Sequence, residues 1–205
     1  LKSSVSYHLC QKKCLKVTSG SIYLPRKQTS RPSAPTLRII AGKWRSRVIT
    51  FQSADGLRPT GDRIRETAFN WVSASIDGAR CIDLFSGSGA LSFEALSRGA
   101  AHCTSLEQQG NAVKDLRENA LVLQAQNLDI VHTDTVSYLQ QRSSSQPYNL
   151  AFVDPPFSAG LLSKACALLN SGGWLSDGAL IYCEMAASDN YFIAPENWQM
   201  LREKT

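Results

Sequence analysis

No apolar run in this 205-residue chain approaches the ~20 residues that a bilayer-spanning helix needs. A soluble protein is therefore expected. No stretch recurs at a fixed period, which argues against a solenoid or a repeat array. Acid is missing from residues 1–36, which carry seven Lys/Arg. Residues 37–67 carry seven basic and three acidic residues, and 68–205 carry eight and fourteen. The three parts thus hold +7, +4 and −6 of the net +5. Cation gathered at one end favours a polyanionic partner, with nucleic acid ahead of membrane. Six cysteines lie at 10, 14, 81, 103, 166 and 183. Cys10 and Cys14 form a lone C-x₃-C without a second ligand pair, too little for a zinc site. Free thiols in a reducing compartment are the expectation.

What is present suits one domain plus an appendage. Residues 1–36, rich in Ser, Thr, Lys and Arg with three prolines, read as a mostly disordered basic leader, comparable in composition to an organellar transit peptide. Leu37–Ala41 and Arg47–Phe51 read as a β-hairpin around Gly42-Lys43-Trp44-Arg45-Ser46. Trp44 between two cations can stack on a base while Lys43, Arg45 and Arg47 meet phosphates, or it can pack inside. Arg58-Pro59-Thr60 introduces a helix over about 60–76, with Thr60 as N-cap and an apolar stripe through Ile64, Ala68, Trp71, Val72 and Ile76. Off that stripe, Arg63 and Arg65 form a cationic edge with Arg58.

From residue 80 onward the chain alternates strand and helix. Strands are expected at 81–85, 102–107, 128–132, 148–153 and 179–184, and a last one near 198–204. Helices are expected at about 89–98, 110–125, 134–141 and 160–169. This βαβ rhythm predicts an α/β fold, a mainly parallel doubly wound sheet covered on both faces.

Cys81-Ile-Asp-Leu-Phe-Ser-Gly-Ser-Gly-Ala90 is a strand running into a glycine turn and a helix. Gly87 and Gly89 allow the backbone to approach a ligand closely, and the helix start presents free N–H groups. Ser92 stands where a dinucleotide fingerprint has its third glycine, and Asp83 precedes the loop. An acid there repels a pyrophosphate and attracts an ammonium or sulfonium. That charge argument favours S-adenosylmethionine over a nicotinamide cofactor. Glu107, twenty residues after Gly87, can accept both ribose hydroxyls. Asp134 can accept an adenine amine or cap a helix. Phe85 and Thr135 flank these positions and complete the expected cofactor contacts.

Asp154-Pro155-Pro156-Phe157 follows the apolar run Leu150 to Val153. Two prolines remove two N–H donors and stiffen the turn. What is left is a carboxylate, two carbonyl oxygens and an aromatic face: an acceptor-only pocket suited to a flat base with an exocyclic NH₂. Asp83, Glu107, Asp134 and Asp154 would then stand at the carboxyl ends of four strands, where open α/β sheets bind ligands.

The Asp83 to Gly89 loop with the Asp154 turn resembles the Rossmann-like class I S-adenosylmethionine-dependent methyltransferases that act on exocyclic amines. More narrowly, Arg38 to Arg45, Leu57 to Thr67 and Phe69-Asn70-Trp71 resemble the bacterial 16S ribosomal RNA guanine-966 N2-methyltransferase family, over about 37–204. The resemblance implies methylation of a guanine N2 amine in 16S rRNA or the small ribosomal subunit. It implies Asp154, Pro155, Pro156 and Phe157 as catalytic residues, no metal, no membrane, a monomer, and a bacterial cytoplasm (or an organelle, should 1–36 be a transit peptide). It divides the chain into a leader (1–36), an RNA-contacting hairpin extension (37–58) and the methyltransferase domain (59–205). The family normally ends with a further antiparallel strand after the position of Arg202-Glu203-Lys204. This chain stops short of it, which predicts an unpaired sheet edge. An adenine-N6 methyltransferase, a nicotinamide oxidoreductase and a non-catalytic RNA-binding protein are the alternatives.

Overall fold

The computed structural model describes residues 5–11, 16–18, 35–52, 61–141, 146–156, 160–186 and 192–204. Two strands, β1 (Val5–Gln11) and β2 (Lys16–Thr18), fall within the segment expected to be mostly disordered. A hairpin follows, β3 (Thr36–Arg38) and β4 (Val48–Thr50). Next come helix α1 (Asp62–Trp71), strand β5 (Arg80–Asp83) and helix α2 (Ala90–Ser97). The chain continues through β6 (His102–Glu107), α3 (Gly110–Leu123), β7 (Leu128–His132), α4 (Thr135–Leu139) and β8 (Tyr148–Val153). It closes with α5 (Leu161–Ser171), β9 (Leu175–Ala186) and β10 (Gln199–Lys204).

Five strands are parallel, in the order β9-β8-β5-β6-β7. The chain runs outward from β5 through β6 to β7, then crosses back to β8 and β9. The order therefore reverses between β5 and β8, and the crevice at that reversal is where such sheets hold ligands. Apolar residues buried on both faces explain the central strand β8 and the Ala179–Cys183 stretch of β9. Cys81, Leu150, Phe152 and Tyr182 face one core with α1, α2 and α3. Ile82, Ala151, Val153, Ile181 and Cys183 face the other with α4 and α5. Cys81, Cys103, Cys166 and Cys183 are buried free thiols.

Beyond β9 the sheet continues into a strand from the amino-terminal segment, and β10 stands last on that side. Strand β1 lies between β9 and β10 and is antiparallel to both, pairing Val5 through Gln11 with Ala186 through Leu180. The run Val5-Ser-Tyr-His-Leu9 alternates with the period of two that suits a strand, although the basic composition around it reads as disorder.

Helix α1 stops at Trp71 rather than near 76. The Ser73 hydroxyl bonds back to the Asn70 carbonyl at 2.9 Å, a local competitor of the helical ladder. Its N-cap is Gly61, which offers no side chain; Thr60, expected there, lies outside the described residues.

The hairpin belongs to the first core. Leu37, Ile39, Trp44, Ile49 and Phe51 pack with Ala68, Phe69, Leu91 and Leu116. Polar side chains from two helices fasten its backbone. Glu94 accepts the Ile40 and Ala41 amides at 2.8 and 3.0 Å, and Ser97 Oγ accepts the Trp44 amide at 3.0 Å. Asn119 exchanges bonds with both backbone groups of Thr50, at 3.2 and 2.7 Å. Asp115 accepts the Gln52 amide at 2.6 Å.

Candidate active site at the carboxyl ends of four strands

Register fixes the row of acids. Asp83 ends β5 opposite Ser105 of β6 and Phe152 of β8. Glu107 ends β6 opposite His132 of β7, and Asp154 and Asp134 follow the ends of β8 and β7. Asp154, Asp83, Glu107 and Asp134 thus stand on four adjacent strands.

The glycine turn is held by its neighbours. Gly87 has φ +50° and Gly89, the N-cap of α2, has φ +79°. A Cβ on Gly89 would come within 2.5 Å of Leu116 Cδ2 and 2.6 Å of the Phe93 ring, so both the turn and the packing require glycine there. Glu107 accepts the Gly87 amide at 2.7 Å through Oε2 and the Gln109 amide at 2.7 Å through Oε1. Each carboxylate oxygen keeps acceptor capacity, so Glu107 can brace the turn and still receive hydroxyl donors. The Thr135 hydroxyl donates to the Leu84 carbonyl, tying the start of α4 to the same turn.

Asp83 is almost wholly buried. Its Oδ2 accepts from Ser92 Oγ at 2.7 Å, while Oδ1 is buried with no hydrogen-bond partner among the described residues. Burial pushes its carboxyl up to about 6, against the lowering effect of the Ser92 and Phe85 hydrogen bonds. A buried carboxylate oxygen without a donor suits a ligand that brings its own N–H⁺. Residues here therefore fit an ammonium-bearing cofactor such as S-adenosylmethionine, for which Asp83 could accept from the amine and Glu107 from ribose hydroxyls.

Asp134 caps α4, its Oδ2 accepting the Ser137 amide at 2.8 Å, and that bond holds its carboxyl below the ordinary range. Of its two expected roles, the cap is the visible one. Asp154 is half-buried, Pro155 buried and Pro156 exposed; Phe157 lies outside the described residues, as does Arg58. Phe85 is half-buried and packs against the second core.

On the hairpin, Lys43, Arg45 and Arg47 are exposed, as is Arg63 on α1. Trp44, expected among the RNA contacts, is only 7% exposed and packs in the core, with Lys43 Nζ 4.4 Å from its ring centroid. Core burial leaves no room for base stacking. Arg65 likewise leaves the cationic edge: it is fully buried, donating to the Arg38 carbonyl at 2.7 Å and to Asp62 at 2.8 Å. Burial lowers its pKa.

Sequence reading missed Glu94, Ser97, Ser105, Asp115 and Asn119. A signal existed for the first two. Helix α2 is buried along all eight residues, and polar groups in a helix apolar all round must find partners inside.

The strand order, the glycine turn and the row of acids define a class I methyltransferase fold. A family model described as Conserved hypothetical protein 95 matches residues 37–205, and the chain belongs to that family. Ribosomal RNA small subunit methyltransferase D of Escherichia coli strain K12 is 43% identical over 178 residues, 87% of this chain and 89% of that protein. The protein of the same name from Haemophilus influenzae is 40% identical over 182 residues, covering 87% and 94%. The solved Escherichia coli structure yhhF superposes with a TM-score of 0.77 at 45% identity, covering 83% of this chain and 92% of its own.

Proposed function

We propose that this chain transfers a methyl group from S-adenosylmethionine to the exocyclic N2 amine of a guanine in 16S ribosomal RNA of the small subunit. The observation that carries the reading is the Asp154-Pro155 turn at the end of β8, one strand from the buried Asp83. The names of the relatives, at 40–43% identity, support ribosomal RNA as substrate.

Bound S-adenosylmethionine supplies an electrophilic methyl on a sulfonium. The difficulty lies on the other side: a guanine amine is a poor nucleophile because its lone pair is delocalised into the ring. Asp154 and the Pro155 carbonyl accept hydrogen bonds from the two amine N–H groups, which favours a pyramidal nitrogen with its lone pair directed outward. Phe157 stacks on the base. A nitrogen–carbon bond forms as the carbon–sulfur bond breaks, and the surplus amine proton leaves to solvent. Positioning and electrostatics contribute most of the acceleration. The base must leave its stack or come from an unpaired loop to reach the turn. Lys43, Arg45, Arg47 and Arg63 contact phosphates, with Arg58 added from the sequence.

The test is transfer of labelled methyl to unmodified small subunits, followed by nucleoside mass spectrometry. N2-methylguanosine at one position, lost in Asp154→Ala, is the expected result. N6-methyladenosine would replace the base assignment. An Asp154→Ala variant at near wild-type rate would remove the turn from the mechanism.

A further inference from the structure

We propose that Ser105 and Ser92 form a directed hydroxyl chain that fixes the Asp83 carboxylate and preserves its charge, so that Oδ1 is kept for the cofactor amine. The inference deepens the proposed function and rests on it for the identity of the amine. Ser92 Oγ lies 2.7 Å from Asp83 Oδ2 and 2.6 Å from Ser105 Oγ, and all three residues are buried. A charged carboxylate only accepts, so the single Ser92 proton goes to Asp83. Ser92 must then accept from Ser105. The chain therefore has one direction while Asp83 is ionised: Ser105 to Ser92 to Asp83. Each bond polarises the next in a dry environment, which strengthens the last one.

Among the described residues, Cys103 on β6 also lies in hydrogen-bonding reach of the Ser92 and Ser105 hydroxyls, and Cys81 on β5 lies near the carboxylate. Burial lifts both thiols far enough that they stay neutral and cannot take over the charge of the acid. Glu107 on β6 acts on Asp83 by charge alone and raises its pKa further. The remaining donors are the Phe85 and Ser92 amides. Ser92 therefore serves two ends. It holds Oδ2 on the α2 side, and it opposes the desolvation that drives the carboxyl toward neutrality. Where a dinucleotide fingerprint places glycine for close helix–strand packing, this chain places a hydroxyl that manages an acid.

The role is one of positioning, and pH exposes it. In ligand-free protein, carbon-13 NMR of the Asp83 carboxyl should show a midpoint near 6, raised by ~1 pH unit in Ser92→Ala and by less in Ser105→Ala. Alanine is a good helix residue, so Ser92→Ala should fold. Calorimetric binding of S-adenosylhomocysteine should show wild type and Ser92→Ala close together near pH 9 and ~10-fold apart near pH 5. An equal loss of affinity at every pH would mean that Ser92 only packs, and would overturn the proposal. So would an unmoved midpoint in the ligand-free titration. A shifted midpoint without any S-adenosylhomocysteine binding by wild type would keep the hydroxyl chain and remove the cofactor reading, so the two failures are distinct.

Discussion

Gly42 lies against the backbone carbonyl of Ser97 so closely that a Cβ built on it would overlap that oxygen and crowd the Arg98 amide. Its φ of +81° is also one that side-chain-bearing residues rarely adopt. The contact sits where the hairpin turns over the last turn of α2, beside the bond from the Lys43 amide to the Ser97 carbonyl at 2.8 Å. Gly42→Ala must either strain the turn or lift the hairpin, with Ile39, Trp44 and Ile49 losing their packing. We expect a loss of ~3 kcal/mol or more, seen as a fall in Tm of roughly 10 °C. A fall under ~2 °C would mean the hairpin is not pinned here.

Glu94 gives a second handle on the same dock. Its Oε1 meets Arg98 Nε at 2.7 Å and the Ala41 amide, while Oε2 meets the Ile40 amide. Glu94→Gln keeps the volume but turns an NH₂ toward a donor. The buried amide left without an acceptor, together with the weakened ion pair, should cost ~2–3 kcal/mol in chemical denaturation. An unchanged midpoint would show that the two amides find other acceptors.

These docking residues mark the limit of what the sequence made legible. The parallel strands could be read because β8 and β9 carry apolar runs and strand alternates with helix throughout, and the glycine turn because its spacing has a geometric purpose. The acids could be read because each ends or follows a strand. Asp115 and Asn119 could not, since their partners are backbone amides 63 and 69 residues away and leave no mark on composition. For Glu94 the all-round burial of its helix signals only that some partner is needed. Trp44 stayed open between stacking and packing because its cationic neighbours suggest an exposed ring, whereas the ring is buried and Lys43, itself exposed, holds its Nζ 4.4 Å from the ring centroid. Arg65 misled as well: helical spacing places it off the apolar stripe, yet it is buried against the Arg38 carbonyl of the hairpin and near Glu94 of α2.

Asp83 links stability to function. Its folded carboxyl titrates near 6 against an ordinary 3.8, so the folded state holds the proton more tightly than the unfolded one. Stability of the ligand-free protein therefore falls as pH rises from about 4 to about 6, by on the order of 2–3 kcal/mol from this group, and stays lower above. Asp83→Asn carries no charge to desolvate. Relative to wild type it should gain stability across that window while binding S-adenosylhomocysteine at least ~10-fold more weakly. Urea denaturation of both proteins at several pH values provides the check, and a constant difference between them would refute the linkage.

Lys43 and Arg45 are the cleaner probes of RNA contact, because Arg47 also donates to the Val122 carbonyl at 2.9 Å and helps fasten the hairpin to α3. Charge reversal of Lys43 and Arg45 should weaken binding to small-subunit RNA and flatten its salt dependence by a slope of about 1–2. Adding Arg47→Glu should weaken it further and lower Tm as well. A salt slope that stays at its wild-type value in the triple variant would place the RNA surface elsewhere.

Strand β1 is the least expected part of the fold. It pairs with β9 through seven residue pairs and with β10 through five, so β10 reaches the parallel sheet through it. Removing residues 1–18 would strip one edge of β9 and detach β10 from its main partner. Exposed backbone groups on β9 would then favour edge-to-edge association. We expect such a variant to lose ~10 °C or more of Tm and to aggregate, with β10 cleaved first in limited proteolysis. A peptide of residues 1–18 added in trans should restore protection of β10, since the slot is a strand-addition site of defined register. The +7 charge of residues 1–36 offers a competing role in RNA binding, and the two separate cleanly. If the truncated protein keeps its Tm and only loses RNA affinity, the segment serves as a basic arm and not as a member of the sheet.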